Sequence, residues 1–279
     1  MSNPTLSPAA TRQLWRFRRS LPDRIRLSEI ARALGPLDPD DAALDIASTD
    51  GAFCLHLRRS GGKWDTVAPD EETAQRIREA VPDNVFVFEG HSLPFKKKSF
   101  AAVVVGHALQ RLPQDEAFIE ECHKLLKPDG RLVVCVARLK PWSPIYLLRR
   151  LLGQTHEKQG FVRPGYTESQ LFNVLKDGFD VHSVRTFSRF FLELAVCAVE
   201  FARRRLAARG LQDERQWAWF YTVSNAVCWL ADQLDLLLFF TRGHTLTALA
   251  KRRAWRPRKA PVLVDGRSIT EAVLSKALD

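Results

Sequence analysis

Apolar positions along this chain follow two rhythms. Leu27, Ile30, Ala31 and Leu34 recur at three- and four-residue spacing before Gly35-Pro36, predicting an amphipathic helix over 24–34. Short apolar runs then alternate with helical patterns. Strands are predicted at 42–46, 64–67, 85–88, 101–105 and 131–137, with helices at 53–59, 71–80 and 115–126 between them. The runs Ala101 to Val105 and Leu132 to Val136 contain no polar position, as the central strands of a parallel sheet covered on both faces require. Strands alternating with helices imply right-handed crossovers, and hence a doubly wound, mostly parallel α/β sheet.

Beyond Pro141 the rhythm is lost. Residues 142–165 mix proline, glycine and basic residues around a short apolar helix at 145–152, which reads as an excursion over the sheet's edge. Thr167 followed three residues later by Gln170 has the form of a capping box and predicts a helix at 166–176. The stretch from Trp217 to Phe240 is unusually apolar but is interrupted by Asn225, Asp232, Gln233 and Asp235. The predicted organisation is a basic helical segment at 1–29, the α/β domain at 30–190, a helical, basic extension at 191–259 and a tail at 260–279.

Composition adds one feature, the placement of charge. The 279 residues hold 42 basic and 32 acidic side chains, a net +10, and 46% hydrophobic residues. Residues 1–26 carry six basic groups against one acidic, and 203–259 carry twelve against four, while the middle of the chain is nearly neutral. A neutral body with basic ends suits an anionic surface. No run approaches the roughly 20 apolar residues of a membrane-spanning helix, and Met1 to Ala10 lacks the pattern of a signal peptide, so a cytoplasmic location is expected. The five cysteines are scattered without CxxC pairing, which points to small buried hydrophobes rather than disulfides or zinc ligands. No cluster has metal-ligand spacing, and no metal site is expected.

Four segments carry the candidate chemistry. They are Leu44 to Gly51, a strand followed by a tight small-residue turn and a helix start; Phe86 to Phe95; Ser99 to Val103; and Leu125 to Val133. A strand, a turn and a helix N-terminus place backbone amides where a polar ligand can bind. In order and spacing the four resemble the class I S-adenosylmethionine-dependent methyltransferases, on the branch of small-molecule, quinone-biosynthesis enzymes. The resemblance covers about residues 30 to 190 and implies a Rossmann-like methyltransferase fold with S-adenosylmethionine as cofactor.

On the family's pattern the cofactor-facing positions fall on Asp45, Ala47, Thr49, Gly51, Ala68, Asp70, His91 and Ser92. Several depart from it. Ala47 and Thr49 stand where the family carries glycine, and a Cβ there intrudes on the approach of backbone to ligand. Ala68 stands where an acidic residue holds the ribose hydroxyls, with Asp70 as the nearest substitute, and Gly90-His91-Ser92 replaces the acidic group near the adenine. His107, just beyond the fourth strand, is the candidate catalytic base, with helix capping or packing as its alternative role.

Two function classes follow. One is a methyltransferase acting on a small or lipid-like acceptor; the other is a non-catalytic relative serving as a scaffold or binding subunit. The basic, tryptophan-rich stretch 203–259, with Lys251, Arg252, Arg253, Arg256, Arg258 and Lys259, is expected either to lie on an anionic membrane surface or to form a helical cap with a solvated basic tail. Nucleic acid is an unlikely partner, because no RNA-recognition signature or stacking platform is present.

Overall fold

A computed structural model describes residues 7–46, 50–88, 93–210 and 214–256. Two helices, α1 (Pro8–Arg18) and α2 (Leu21–Leu34), precede the first strand, β1 (Ala42–Ile46). The chain continues through α3 (Gly51–Leu57), β2 (Lys63–Ala68), α4 (Glu71–Arg78), β3 (Val85–Val87), β4 (Phe100–Val105), α5 (Asp115–Leu125) and β5 (Leu126–Ala137). It then forms α6 (Pro144–Leu151), α7 (Glu168–Leu175), β6 (Phe179–Phe187), α8 (Phe190–Ala208), α9 (Glu214–Asp235) and β7 (Thr245–Arg252). The five strands read from the sequence are all present within a residue or two, except that β5 begins earlier, at Leu126. The leading helix starts at Leu21 rather than 24.

The sheet runs β3-β2-β1-β4-β5-β7-β6. The first five pair in parallel, and β1 lies directly against β4, with Leu44 opposite Val103. Alternate residues of each central strand feed opposite layers. Leu44, Val103, Val105, Leu132 and Val134 pack with α5 and α7, while Ala43, Ala102, Val104, Val133 and Cys135 pack under α2 and α3. Both faces are covered, which is why these strands carry no polar side. The expected capping box is formed: the Thr167 hydroxyl accepts from the Gln170 amide at 3.1 Å, and the Gln170 side chain accepts from the Thr167 amide at 2.9 Å. All five cysteines are buried and none forms a disulfide.

The expectation of an all-helical 191–259 is corrected at its end. Helices α8 and α9 are followed by β7, which inserts antiparallel between β5 and β6. Its sequence, Thr245-Leu246-Thr247-Ala248-Leu249-Ala250, alternates in the manner of a strand, with Leu246, Ala248 and Ala250 in the layer of α5 and α7. Entry into it requires Gly243, because a Cβ there would lie 2.0 Å from the Phe187 carbonyl oxygen. Part of the basic cluster is thereby built into the fold. Arg252 Nε donates to the His123 carbonyl at 2.8 Å, Arg253 donates to that of Lys176, and Trp255 packs on the His123 ring. Arg258 and Lys259 lie outside the described residues.

Ala248→Asp sets an unpaired carboxylate at a fully buried point between Val134 and Val184. It should abolish cooperative folding, whereas Lys251→Ala at the exposed end of the same strand should shift stability by less than about 0.5 kcal/mol. Urea unfolding of both variants makes the comparison, and a mild effect of Ala248→Asp would contradict β7 as an interior strand.

Candidate functional site

Parallel α/β sheets bind ligands at the carboxyl ends of their strands, where strand order reverses. Here the reversal lies between β1 and β4, and a cavity of about 900 Å³ opens there. Its floor holds Asp45 of β1, Pro69 after β2, Val104 and Gly106 at the end of β4, and Ala137 of β5. Asp23, Ile25 and Arg26 of α2 form one wall. Helices α6 and α8 form the other through Tyr146, Arg149, Leu192 and Glu193.

Of the residues singled out from the sequence, Asp45 and His107 reach this cavity. Asp45 is buried at the floor, with the Cys54 thiol 3.4 Å from its carboxylate. Asp50, at the adjoining helix start, also lines the cavity; it accepts from the Ala52 amide at 2.7 Å, and burial raises its pKa above the usual carboxylate value.

Gly51 does not face the cavity. Its amide donates to Gln13 Oε1 of α1 at 3.0 Å, and a Cβ on it would approach Ala80 Cβ at 2.8 Å and the Ile77 carbonyl oxygen at 2.9 Å. This glycine serves helix packing. Ala68 is fully buried among Ala10, Ala74 and Ile77, so the end of β2 presents no side-chain oxygen. Asp70 caps α4, accepting from the Thr73 amide at 2.7 Å, and this bond lowers its pKa. It does not line the cavity. Ala47, Thr49, His91 and Ser92 lie outside the described residues.

His107 begins a single helical turn, His107–Gln110, directly after β4. The Gln110 side-chain oxygen accepts from the Ala137 amide at 2.9 Å, which fixes the orientation of that amide group. The same oxygen lies 2.9 Å from His107 Nδ1, so Nδ1 must carry a proton to donate to it. Nε2 is then left as an acceptor. Burial, reinforced by the Arg26 charge, holds the His107 pKa down to about 4. At neutral pH His107 is therefore an uncharged imidazole with one nitrogen open to accept a proton.

The sequence reading did not find Gln110, nor the polar group deep in the cavity. There Glu193 accepts from Arg149 and, at 2.7 Å, from the Ser188 hydroxyl, while His244 Nε2 lies 3.1 Å from the Ser143 hydroxyl. Gln110 has a local signal, since it follows His107 by one turn after the same strand. The others come from the excursion, α8 and the entry to β7, and no local pattern joins those segments.

Comparison with known proteins agrees with this geometry. Residues 44–134 match the methyltransferase domain family. Over 139 residues the chain is 26% identical to a demethylmenaquinone methyltransferase of Streptomyces avermitilis, covering 46% of this chain and 58% of that protein. Over 117 residues it is 35% identical to the corresponding enzyme of a Mycobacterium species, covering 40% and 48% respectively. The chain thus spans about half the length of the curated relatives it matches.

Among solved structures, a mycolic acid cyclopropane synthase superposes with a TM-score of 0.57 at 15% identity, over 82% of this chain and 84% of that one. A geranyl diphosphate C-methyltransferase of Streptomyces coelicolor superposes at 0.52 and 14% identity, over 83% and 76%. These likenesses show the fold. The α/β domain has the fold of the class I S-adenosylmethionine-dependent methyltransferases. Over the matched residues its sequence is similar to demethylmenaquinone methyltransferases.

Because folded His107 titrates near 4 and an unfolded histidine near 6.5, the unfolded chain binds more protons between these values. This contribution to stability is complete above about pH 6.5 and is lost as pH falls toward 4. In His107→Gln, denaturant unfolding between pH 4 and 7 should depend less steeply on pH than in the parent. An unchanged slope would place His107 in a solvated environment.

Proposed function

We propose that this chain is an S-adenosylmethionine-dependent methyltransferase whose acceptor is a small or lipid-like molecule with an ionisable hydroxyl, and that His107 takes the acceptor's proton. The observation that carries this is the neutral imidazole at the mouth of β4, with Nδ1 held by Gln110 and Nε2 open. The cavity lies at the upper end of the range of about 300–1,000 Å³ typical of ligand pockets.

The cavity fits the cofactor unevenly. Asp45 and Asp50 are the carboxylates that would hold the cofactor's ammonium group, and α3 starts beside them. At the ribose end Ala68 offers nothing. When bound, the cofactor supplies an electrophilic methyl group on a cationic sulfur. The protein's part is to orient the acceptor, to exclude water and to accept one proton at His107 Nε2. Phe161, whose ring centre lies 6.1 Å from that of His107, and Tyr146 give the cavity aromatic walls suited to a planar acceptor. The demethylmenaquinone methyltransferase relatives support a quinone-like acceptor.

A second reading is a scaffold subunit without catalysis, and two observations favour it. The Gly51 amide is occupied by Gln13, and no carboxylate stands at the end of β2. A missing hydrogen bond to a charged group costs about 1.5–3 kcal/mol, or roughly ten- to hundredfold in affinity. Weakened but measurable cofactor binding is therefore expected of the enzyme, and none of the scaffold.

Isothermal titration with S-adenosylmethionine separates the two: micromolar binding supports the enzyme, and no heat at millimolar ligand eliminates it. With a quinol acceptor, His107→Gln should lower kcat about 10²- to 10⁴-fold and leave cofactor affinity unchanged. The acidic limb of kcat/KM should fall near pH 4 rather than 6.5. A limb near 6.5 would remove His107 as the base.

A further inference from the structure

Helix α9 is built inside out. The face turned to the protein carries Phe220 near its start and then only Ser224, Cys228, Ala231 and Asp235, all buried. The face turned to solvent carries Trp219, Val223, Val227, Leu230 and Leu234, at successive spacings of four, four, three and four residues. Amphipathic helices of globular domains place the larger apolar side chains inward. Here the order is reversed from Ser224 onward in a helix about 33 Å long.

The stripe continues past the end of the helix. Leu236, Leu237, Phe239 and Phe240 are all exposed, Phe239 at 77%. Lys140 donates to the Arg242 carbonyl and so ties this turn to the loop bearing Trp142, which is 94% exposed. From that loop α6 sends Tyr146 and Arg149 into the cavity while Leu147 and Leu151 face outward. The apolar surface therefore runs from α9 to the mouth of the site. Scattered exposed apolar residues need no partner, but a contiguous stretch of this extent does.

Charge selects the partner. Arg19 Nε donates to Thr222 at 3.3 Å and exposed Arg24 to Asn225 at 3.0 Å, both on α9, while Arg16 lies over the Tyr221 ring. The neighbouring helix α8 carries Arg203, Arg204 and Arg205 in its last two turns, the first two paired with Glu200. Segment 138–156 contains Lys140 and Arg150 beside Arg138 and Arg149, which pair with Glu168 and Glu193, and has no acidic residue of its own. Two acids stand near the end of α9. Asp235 is buried, accepting from the amides of Phe191 at 2.8 Å and Leu192 at 3.2 Å, and Asp232 has its carboxyl pKa raised by burial and by Asp235. A second copy of this chain docked on the same stripe would bring like charges together, whereas an anionic lipid surface complements them.

We propose that the outer face of α9, the Phe239–Phe240 turn and the outward side of α6 dock this protein on an anionic bilayer, with the cavity mouth against the lipid. Among the described residues no helix is long and apolar enough to cross a membrane, and the contact is interfacial. The proposal does not depend on methyl transfer. The sequence expectation joined a helical face through Ser224, Cys228 and Ala231 to the basic residues from Lys251; the structure buries those three, so the contact falls to the opposite face, and Lys251, Arg252 and Arg253 sit at the far end of β7 from the Phe239–Phe240 turn.

The test is sedimentation of the full chain with vesicles of phosphatidylcholine alone or mixed with phosphatidylglycerol. The protein should pellet with the mixed vesicles, at least about tenfold less with the neutral ones, and less again as salt shortens the screening length. The pair Leu230→Glu and Leu234→Glu should reduce binding at least about tenfold at an unchanged urea midpoint, and Phe239→Ser with Phe240→Ser should reproduce the loss as an independent variant. Lys251→Ser should bind like the parent. Equal binding by parent and both variants, equal binding to neutral vesicles, or no pelleting at low salt would each overturn the proposal. So would a dimer in equilibrium sedimentation that Leu230→Glu dissociates, since the stripe would then belong to a second copy of the chain.

Discussion

The winding of the sheet reverses once, between β1 and β4, and the position of every functional group depends on that reversal. Crossovers to β2 and β3 run one way and those to β4 and β5 the other, so the loops leaving β1 and β4 part and leave a crevice above the sheet. Asp45 is carried to the floor of that crevice by β1, and Gly106 and His107 are carried to its edge by β4. Burial on both faces makes the register of these strands costly to alter, because a one-residue slip would exchange the two core layers. The imidazole and the carboxylate are thus placed by the packing of Leu44, Val103 and their neighbours.

Around this frame the chain ends act together. The N-terminal helices hold α9: the Trp15 ring meets that of Tyr221 edge to face at 6.1 Å, and Leu21 packs with Cys228 and Ala231. Small residues on the inner side of α9 allow α2 and α8 to approach, and α2 in turn walls the cavity with Asp23 and Arg26. The two basic segments, distant in sequence, therefore meet beside one helix.

The sheet was legible because its strands are short, mostly apolar runs alternating with helical patterns, and five of the seven followed from that alone. β7 was obscured by its own ending, since Lys251, Arg252 and Arg253 drew attention to charge and away from the alternation in Thr245 to Ala250. His107 was legible from its place after a strand, and Asp45 from the strand-turn-helix motif. Gly51 was legible as a required glycine, but what its missing side chain makes room for, Gln13, Ile77 and Ala80, lies on other helices. Glu193, Arg149 and His244 were not legible, because three segments that no local periodicity links are brought together only by the closing of the sheet.

The place of β7 also bears on how the protein is made. Arg131 of β5 pairs with Lys251, and β6 reaches the sheet only through β7, so the edge of β5 stays open until nearly all of the described chain has left the ribosome. Contacts between such distant positions form late and slowly. During synthesis an unpaired run, Leu132 to Val136, is exposed with no charge to protect it. Over that interval the edge is open to pairing with other chains, and loss of β7 would be felt first as aggregation during translation.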